Sequence, residues 1–164
     1  KENKKYNDLA VNLNLDNLEN IGYIELNNKL QQMHDADYRS IAQRDLQECA
    51  LAYLLNNYKT VMIFSGSIIE NILIDKISAT GVAHITLNNG KQRKIIDAEL
   101  FELISHFNND PNLSDSMINH LMEIARIYRN IVHPANEIKK DYHISKVNAD
   151  LCWSTLQIII NTLY

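Results

Sequence analysis

The chain has 164 residues, 46% of them hydrophobic, with only 4 Gly and 2 Pro and a formal net charge of -4. That apolar content supports one folded domain with its own core, and the scarcity of turn-forming residues excludes a sandwich or barrel and favours helix. The acidic balance removes any global attraction for nucleic acid or an anionic membrane, so polyanion binding has to come from a local basic patch.

Residues 1 to about 20 are rich in Asn and charge, with Leu13, Leu15 and Leu18 spaced as in an extended arm or a short helix. The domain proper is expected over 21–164. No apolar run reaches the ~18 residues of a membrane span, and the charged Lys1-Glu2-Asn3-Lys4-Lys5 leads into polar sequence instead of a signal-peptide core. A cytoplasmic protein is therefore expected. Cys49 and Cys152 fit that setting as buried, reduced thiols in apolar helical surroundings.

A short amphipathic helix is expected from Gly22 to about Met33. A longer one follows from Tyr38 to about Leu55, capped by Asp37, with Ile41, Leu46, Cys49, Ala50, Tyr53 and Leu54 as its core stripe. The third, from Tyr58 to about Ile77, is apolar nearly all round and should lie at the centre. Within it Ser65-Gly66-Ser67 reads as a close helix-crossing point, because no phosphate-loop spacing surrounds it. A hairpin is signalled over 83–95 by Asn88-Asn89-Gly90 between β-branched residues.

Asp97 opens a further helix to about Phe107, and Asn108-Asn109-Asp110-Pro111 ends it. Another helix spans about 115–133, stopped by Pro134. After a connection to Tyr142 the last helix runs from Ser145 to Tyr164. The expected fold is all-α, an up-and-down helical bundle of about five helices with a small hairpin-like insertion.

The chemistry concentrates in Arg126-Ile127-Tyr128-Arg129-Asn130-Ile131-Val132-His133-Pro134. At ~100° per residue, Arg126, Arg129, Asn130 and His133 share roughly a third of the helix circumference, and Asn119 and Glu123 extend the stripe one turn earlier. Ile118, Leu121, Ile124, Ala125, Ile127, Tyr128, Ile131 and Val132 occupy the other side, so the cationic stripe is expected to face solvent, a partner subunit or an anionic ligand. Imidazole is suited to proton transfer near neutral pH, guanidinium to clamping phosphate oxygens, and an amide to orienting either. The same residues also fit a solvated surface stripe with His133 as a favourable cation at a helix end.

Glu70, a carboxylate among Ile68, Ile69, Ile72 and Leu73, needs a partner, for which Arg126 and Arg129 are the candidates, or a turn toward solvent. The remaining histidines show no paired ligand spacing, so neither metal nor other cofactor is expected.

Arg129-Asn130-Ile131-Val132-His133-Pro134, late in a helical chain of this size, resembles the motif of the HEPN superfamily of nucleotide-binding and RNase domains. Residues 52–70 look like the central helix pair of such domains. In that family an Arg, commonly followed by Asn, Asp or His, precedes the catalytic His by about four to six residues, and two motifs meet across a homodimer. Here the pattern is split. Asn130 follows Arg129, with three residues before His133, whereas Arg126 has six residues before His133 but is followed by Ile127.

The resemblance implies a dimeric, metal-independent endoribonuclease of toxin or antiphage-defence type. His133 would be its acid/base, Arg126 or Arg129 the phosphate clamp and Asn130 the orienting amide, with Glu70 and Glu123 in support. It equally accommodates a non-catalytic HEPN-like dimerisation or nucleotide- and RNA-binding module of a larger defence protein. RNA, a second copy and an antitoxin or defence-complex subunit are the partners it implies. A plain helical adaptor, its arginines neutralised by Glu70 and Glu123, is the third reading.

Overall fold

The structure, a computed structural model, describes residues 15–87, 89–111, 113, 116–131, 134–139 and 144–164. Among these, α1 (Leu15–Asn20) turns through Gly22 into α2 (Tyr23–Leu30). Gly22 has φ 81, and a Cβ there would come within 2.9 Å of Gln157 Nε2. The turn is tied to the far end of the chain, because Trp153 Nε1 and Gln157 Nε2 each donate to the Ile21 carbonyl at 3.0 Å.

Helix α3 (Ala36–Leu54) is capped by Asp35, whose carboxylate accepts the Asp37 and Tyr38 N–H groups at 2.9 and 3.1 Å. This corrects the expectation of Asp37. A cap must precede the first helical residue to reach the orphan N–H groups of the first turn, and Asp37 is already inside it. Ile41, expected in the core stripe, is 36% exposed, while Leu46, Cys49 and Ala50 are buried as expected.

Helix α4 (Tyr58–Ala79) is the central element, packing against α3 and against three helices still to come. Val61, Met62, Ile68, Ile69, Ile72, Leu73 and Ile77 are all fully buried, as befits a helix apolar on every side. Two buried carboxylates fasten it. Asp45 of α3 accepts Ser67 Oγ at 2.8 Å and Arg44 at 2.7 Å. Asp75 accepts the Asp35 N–H at 2.8 Å and the Tyr164 hydroxyl at 2.7 Å. Each carboxylate thus has partners for both oxygens, which removes most of the cost of burying it.

Strands β1 (His84–Thr86) and β2 (Gln92–Lys94) form the expected antiparallel hairpin, with Ile85 opposite Arg93 and Gly90 at φ 78 in its turn. A 3-10 turn over Ile95–Asp97 follows, so the next helix, α5 (Leu100–Asn109), starts later than the expected Asp97 and is capped by Glu99. Glu102 closes this start twice, accepting the Glu99 N–H at 2.9 Å and Arg93 Nη1 at 2.7 Å, which also anchors the hairpin to α5.

Helix α6 (Ser116–Ile131) carries the motif. A short α7 (Pro134–Lys139) occupies part of the stretch expected to be a plain connection, and α8 (Lys146–Leu163) completes the bundle. Pro134 starts α7, a position where its fixed φ and missing N–H cost nothing. Five longer helices thus form an all-α bundle, with the hairpin between the second and third of them. Helix α4 contacts α5, α6 and α8, and α6 contacts both α5 and α8. Among the described residues, no helix is long and apolar enough to cross a membrane.

Candidate functional site

The site is set by how α6 meets α4. Ile118, Met122 and Ala125 of α6 are fully buried and mark its core-facing line. Continuing by the same three-or-four spacing, the next residue on that line is Arg129. Its stem crosses α4 at Gly66. A Cβ on Gly66 would lie 2.5 Å from Arg129 Cδ and 2.9 Å from both Cβ and Cγ, so the crossing is closed to any larger residue without displacement. The crossing read from Ser65-Gly66-Ser67 is present, and Arg129 is what crosses there.

One turn further along α4 stands Glu70, on the same face as Gly66. Arg129 Nη2 approaches Glu70 Oε2 to 3.1 Å, with the side chains 38% and 27% exposed. The pair is close enough for an ionic contact, yet it is not aligned as a hydrogen bond, and Oε2 is a buried oxygen without any hydrogen-bond donor. Burial raises the Glu70 carboxyl above its ordinary value, Arg129 pulls it back, and the nearby Glu99 raises it again. Desolvation is the larger effect, so the arginine compensates Glu70 only in part.

Arg126 is placed differently. Its Nε donates to Glu123 Oε2 at 2.8 Å, both side chains being accessible to solvent at 29% and 39%. An exposed pair of this kind contributes ~0–1 kcal/mol. Arg126 can therefore exchange Glu123 for another anion at small cost. Asn130 is exposed, and its carbonyl accepts Asn136 Nδ2 at 2.8 Å, which ties the start of α7 to the end of α6.

Arg126, Arg129, Asn130 and Glu70 converge on one groove of about 260 Å³. Its opposite wall is the start of α5, supplied by Ala98, Glu99, Leu100 and Phe101. The groove balances two guanidinium groups against the carboxylates of Glu70 and Glu99, and a phosphate-sized anion held there would draw on the forked arginine donors and the Asn130 amide. Of the residues singled out in the sequence, Arg126, Arg129, Asn130 and Glu70 come together, and Glu123 stands beside them as the partner of Arg126. His133 lies outside the described residues.

The sorting of α6 into an apolar core face and a cationic outer face needs correction. Arg129 belongs to the core-facing line, while Ile127, placed on the apolar side, is 46% exposed, as is Met117 at 56%. The apolar arc is wider than the strip that α4, α5 and α8 can cover, so part of it is left outside. The α5 wall was not legible at all, because nothing in the sequence of 98–101 distinguishes a groove wall from an ordinary amphipathic helix start.

Among the described residues, no three His, Cys, Asp or Glu side chains form a group that could hold a metal ion. Cys49 and Cys152 are buried free thiols, and burial pushes both up to about 12, which leaves them un-ionised and unreactive at neutral pH. No protein-family model, no curated protein and no solved structure matches the chain.

Proposed function

We propose that this protein is a metal-independent endoribonuclease of the HEPN type, acting as a homodimer in the cytoplasm in a toxin or antiphage-defence role. The observation that carries the reading is the convergence of Arg126, Arg129 and Asn130 on a single groove. In this reading the scissile phosphate lies against that wall. The 2′-oxygen attacks phosphorus, the bond to the 5′-oxygen breaks, and the products are a 2′,3′-cyclic phosphate and a 5′-hydroxyl. Arg126 and Arg129 stabilise the charge that develops on the phosphoryl oxygens, and Asn130 orients the phosphate. His133, assigned by the resemblance of the motif, handles a proton of the attacking or the leaving oxygen.

The exposed Met117 and Ile127 supply apolar surface for a symmetric contact between two α6 helices, which would bring two such grooves together. An antitoxin or a larger defence complex would then control the dimer. The test is cleavage of tRNA or mRNA by the purified protein in EDTA. Cyclic-phosphate products and inert 2′-deoxy substrates support the reading, and an inactive dimer removes it.

One observation favours a second reading. Both arginines already hold carboxylates, Arg129 with Glu70 and Arg126 with Glu123, as a non-catalytic dimerisation or RNA-binding module would also require. RNA binding without cleavage would decide for that module.

A further inference from the structure

The groove has two unlike walls. Arg126, Arg129, Asn130 and Glu70 line one side, and the other, at the start of α5, carries Glu99 and Phe101. Phe101 is an odd member of its helix. Leu100, Leu103, Ile104 and Phe107 of α5 are fully or almost fully buried, whereas Phe101 remains 45% exposed. It also lines a smaller cleft with Thr86, Leu87, Glu102 and Ser105, at the foot of the hairpin. The core does not use this side chain, and among the described residues no other aromatic side chain lines the groove.

The groove sets two guanidinium groups against the carboxylates of Glu70 and Glu99 and adds an exposed aromatic side chain, so an anion joined to a flat ring can take the arginine donors in exchange for a carboxylate and rest its ring on Phe101. The volume of about 260 Å³ lies just under the ~300–1,000 Å³ of sites for drug-sized ligands, which leaves room for one base and its phosphate. We infer that the groove takes a single unstacked nucleotide of single-stranded RNA, with its phosphate on Arg126 and Asn130 and its base stacked on Phe101. This rests on the RNA-binding reading above and adds to it a residue, Phe101, that receives the base. Paired RNA is excluded as a substrate because its bases are already stacked and cannot reach the ring. Stacking on a phenyl face is sequence-tolerant, so the groove selects strandedness more than base identity.

The experiment uses a short single-stranded oligonucleotide that is 2′-deoxy throughout, so that it binds without being cut, and a matching series in which each position in turn is abasic. Phe101→Ala should weaken binding of the intact strand about 5- to 150-fold, the ~1–3 kcal/mol of one base–aromatic stack. Phe101→Trp should restore it. One abasic position should lower wild-type affinity by a similar factor and make Phe101→Ala without further effect. A duplex of the same sequence should compete poorly.

Equal losses for intact and all abasic strands, or no loss with Phe101→Ala, would overturn the inference. So would equal competition by duplex, or no binding by the wild-type protein. Arg126→Ala separates the two levels. If it weakens binding while Phe101→Ala does not, the phosphate groove stands without the base platform. If neither substitution matters, the functional reading falls with it.

Discussion

Gly66→Ala tests whether the arginine site and the core are one construction. In the interior of a 22-residue helix, Gly→Ala ordinarily stabilises by ~0.5–1 kcal/mol through helix propensity. Here the new Cβ would lie 2.5 Å from Arg129 Cδ and 2.9 Å from Cβ and Cγ, about 0.5–0.9 Å short of ordinary contact. The Arg129 stem beyond Cβ can rotate away, but its Cβ is fixed to the α6 backbone. Relief therefore requires α6 and α4 to separate by at least about half an ångström along the line of Ile118, Met122 and Ala125. Such overpacking costs ~1–3 kcal/mol.

The net expectation is a loss of about 1–2 kcal/mol, or ~2–8 °C in Tm for a domain of this size. Urea and thermal unfolding of wild type, Gly66→Ala, Arg129→Ala and the double mutant would measure it. Arg129→Ala removes two of the three close atoms, so the loss from Gly66→Ala should shrink in that background by a coupling of ~0.5–2 kcal/mol. A stabilised Gly66→Ala, or a penalty unchanged by Arg129→Ala, would refute the account of this crossing.

The core should be less forgiving than the site: Ile69→Ala and Trp153→Ala should cost ~2–5 and ~3–5 kcal/mol in urea unfolding, because both side chains are buried and Trp153 also loses its bond to the Ile21 carbonyl. Glu70→Gln should match or exceed wild-type stability at pH 7. The Glu70 carboxyl is raised above its ordinary 4.5, so its contribution is fully present below that value and lost as pH rises through the folded-state value. Unfolding from pH 4 to 7 should thus show the variant gaining on wild type as pH rises, and the opposite slope would contradict the burial assigned to Glu70. If the ribonuclease reading holds, His133→Ala should lower the cleavage rate by ~10²–10⁴ in single-turnover assays, Arg126→Ala should be nearly as damaging and Arg129→Ala milder. Wild-type rates in both His133→Ala and the Arg126/Arg129 double variant would leave only the binding module.

How far the fold could be read from the sequence followed from how local the physics was. Residues 58–77 declared a central helix because they are apolar nearly all round, and Asn-Gly declared the hairpin because its turn needs positive φ. Helix starts slipped, the cap from Asp37 to Asp35 and the opening of the later helix from Asp97 to Leu100. Several carboxylates within a few residues satisfy the same preference, and only the backbone decides which one precedes the first turn. The site residues were visible as a helical stripe, and Glu70 as a carboxylate in need of a cation. Their sorting was not visible, since whether Arg129 faces core or solvent depends on Gly66, more than 60 residues away in the chain.

That sorting bears on the split motif. Read as sequence, Arg126 and Arg129 are equivalent candidates for the clamp, one with the spacing to His133 and the other with the following amide. In the structure they are unlike. Arg129 is held between Gly66 and a half-buried Glu70, so pulling it toward a substrate would strand a carboxylate already short of hydrogen bonds. Arg126 gives up only an exposed partner. In the ribonuclease reading, a phosphate entering the groove would therefore recruit Arg126 first, while Arg129 would contribute charge from a fixed position. The arginine whose spacing to His133 resembles the HEPN pattern is also the one with the more easily exchanged partner. The three-residue interval after Arg129 then need not be a defect of the motif, because Arg129 holds α6 against α4 and places Asn130 at the edge of the groove.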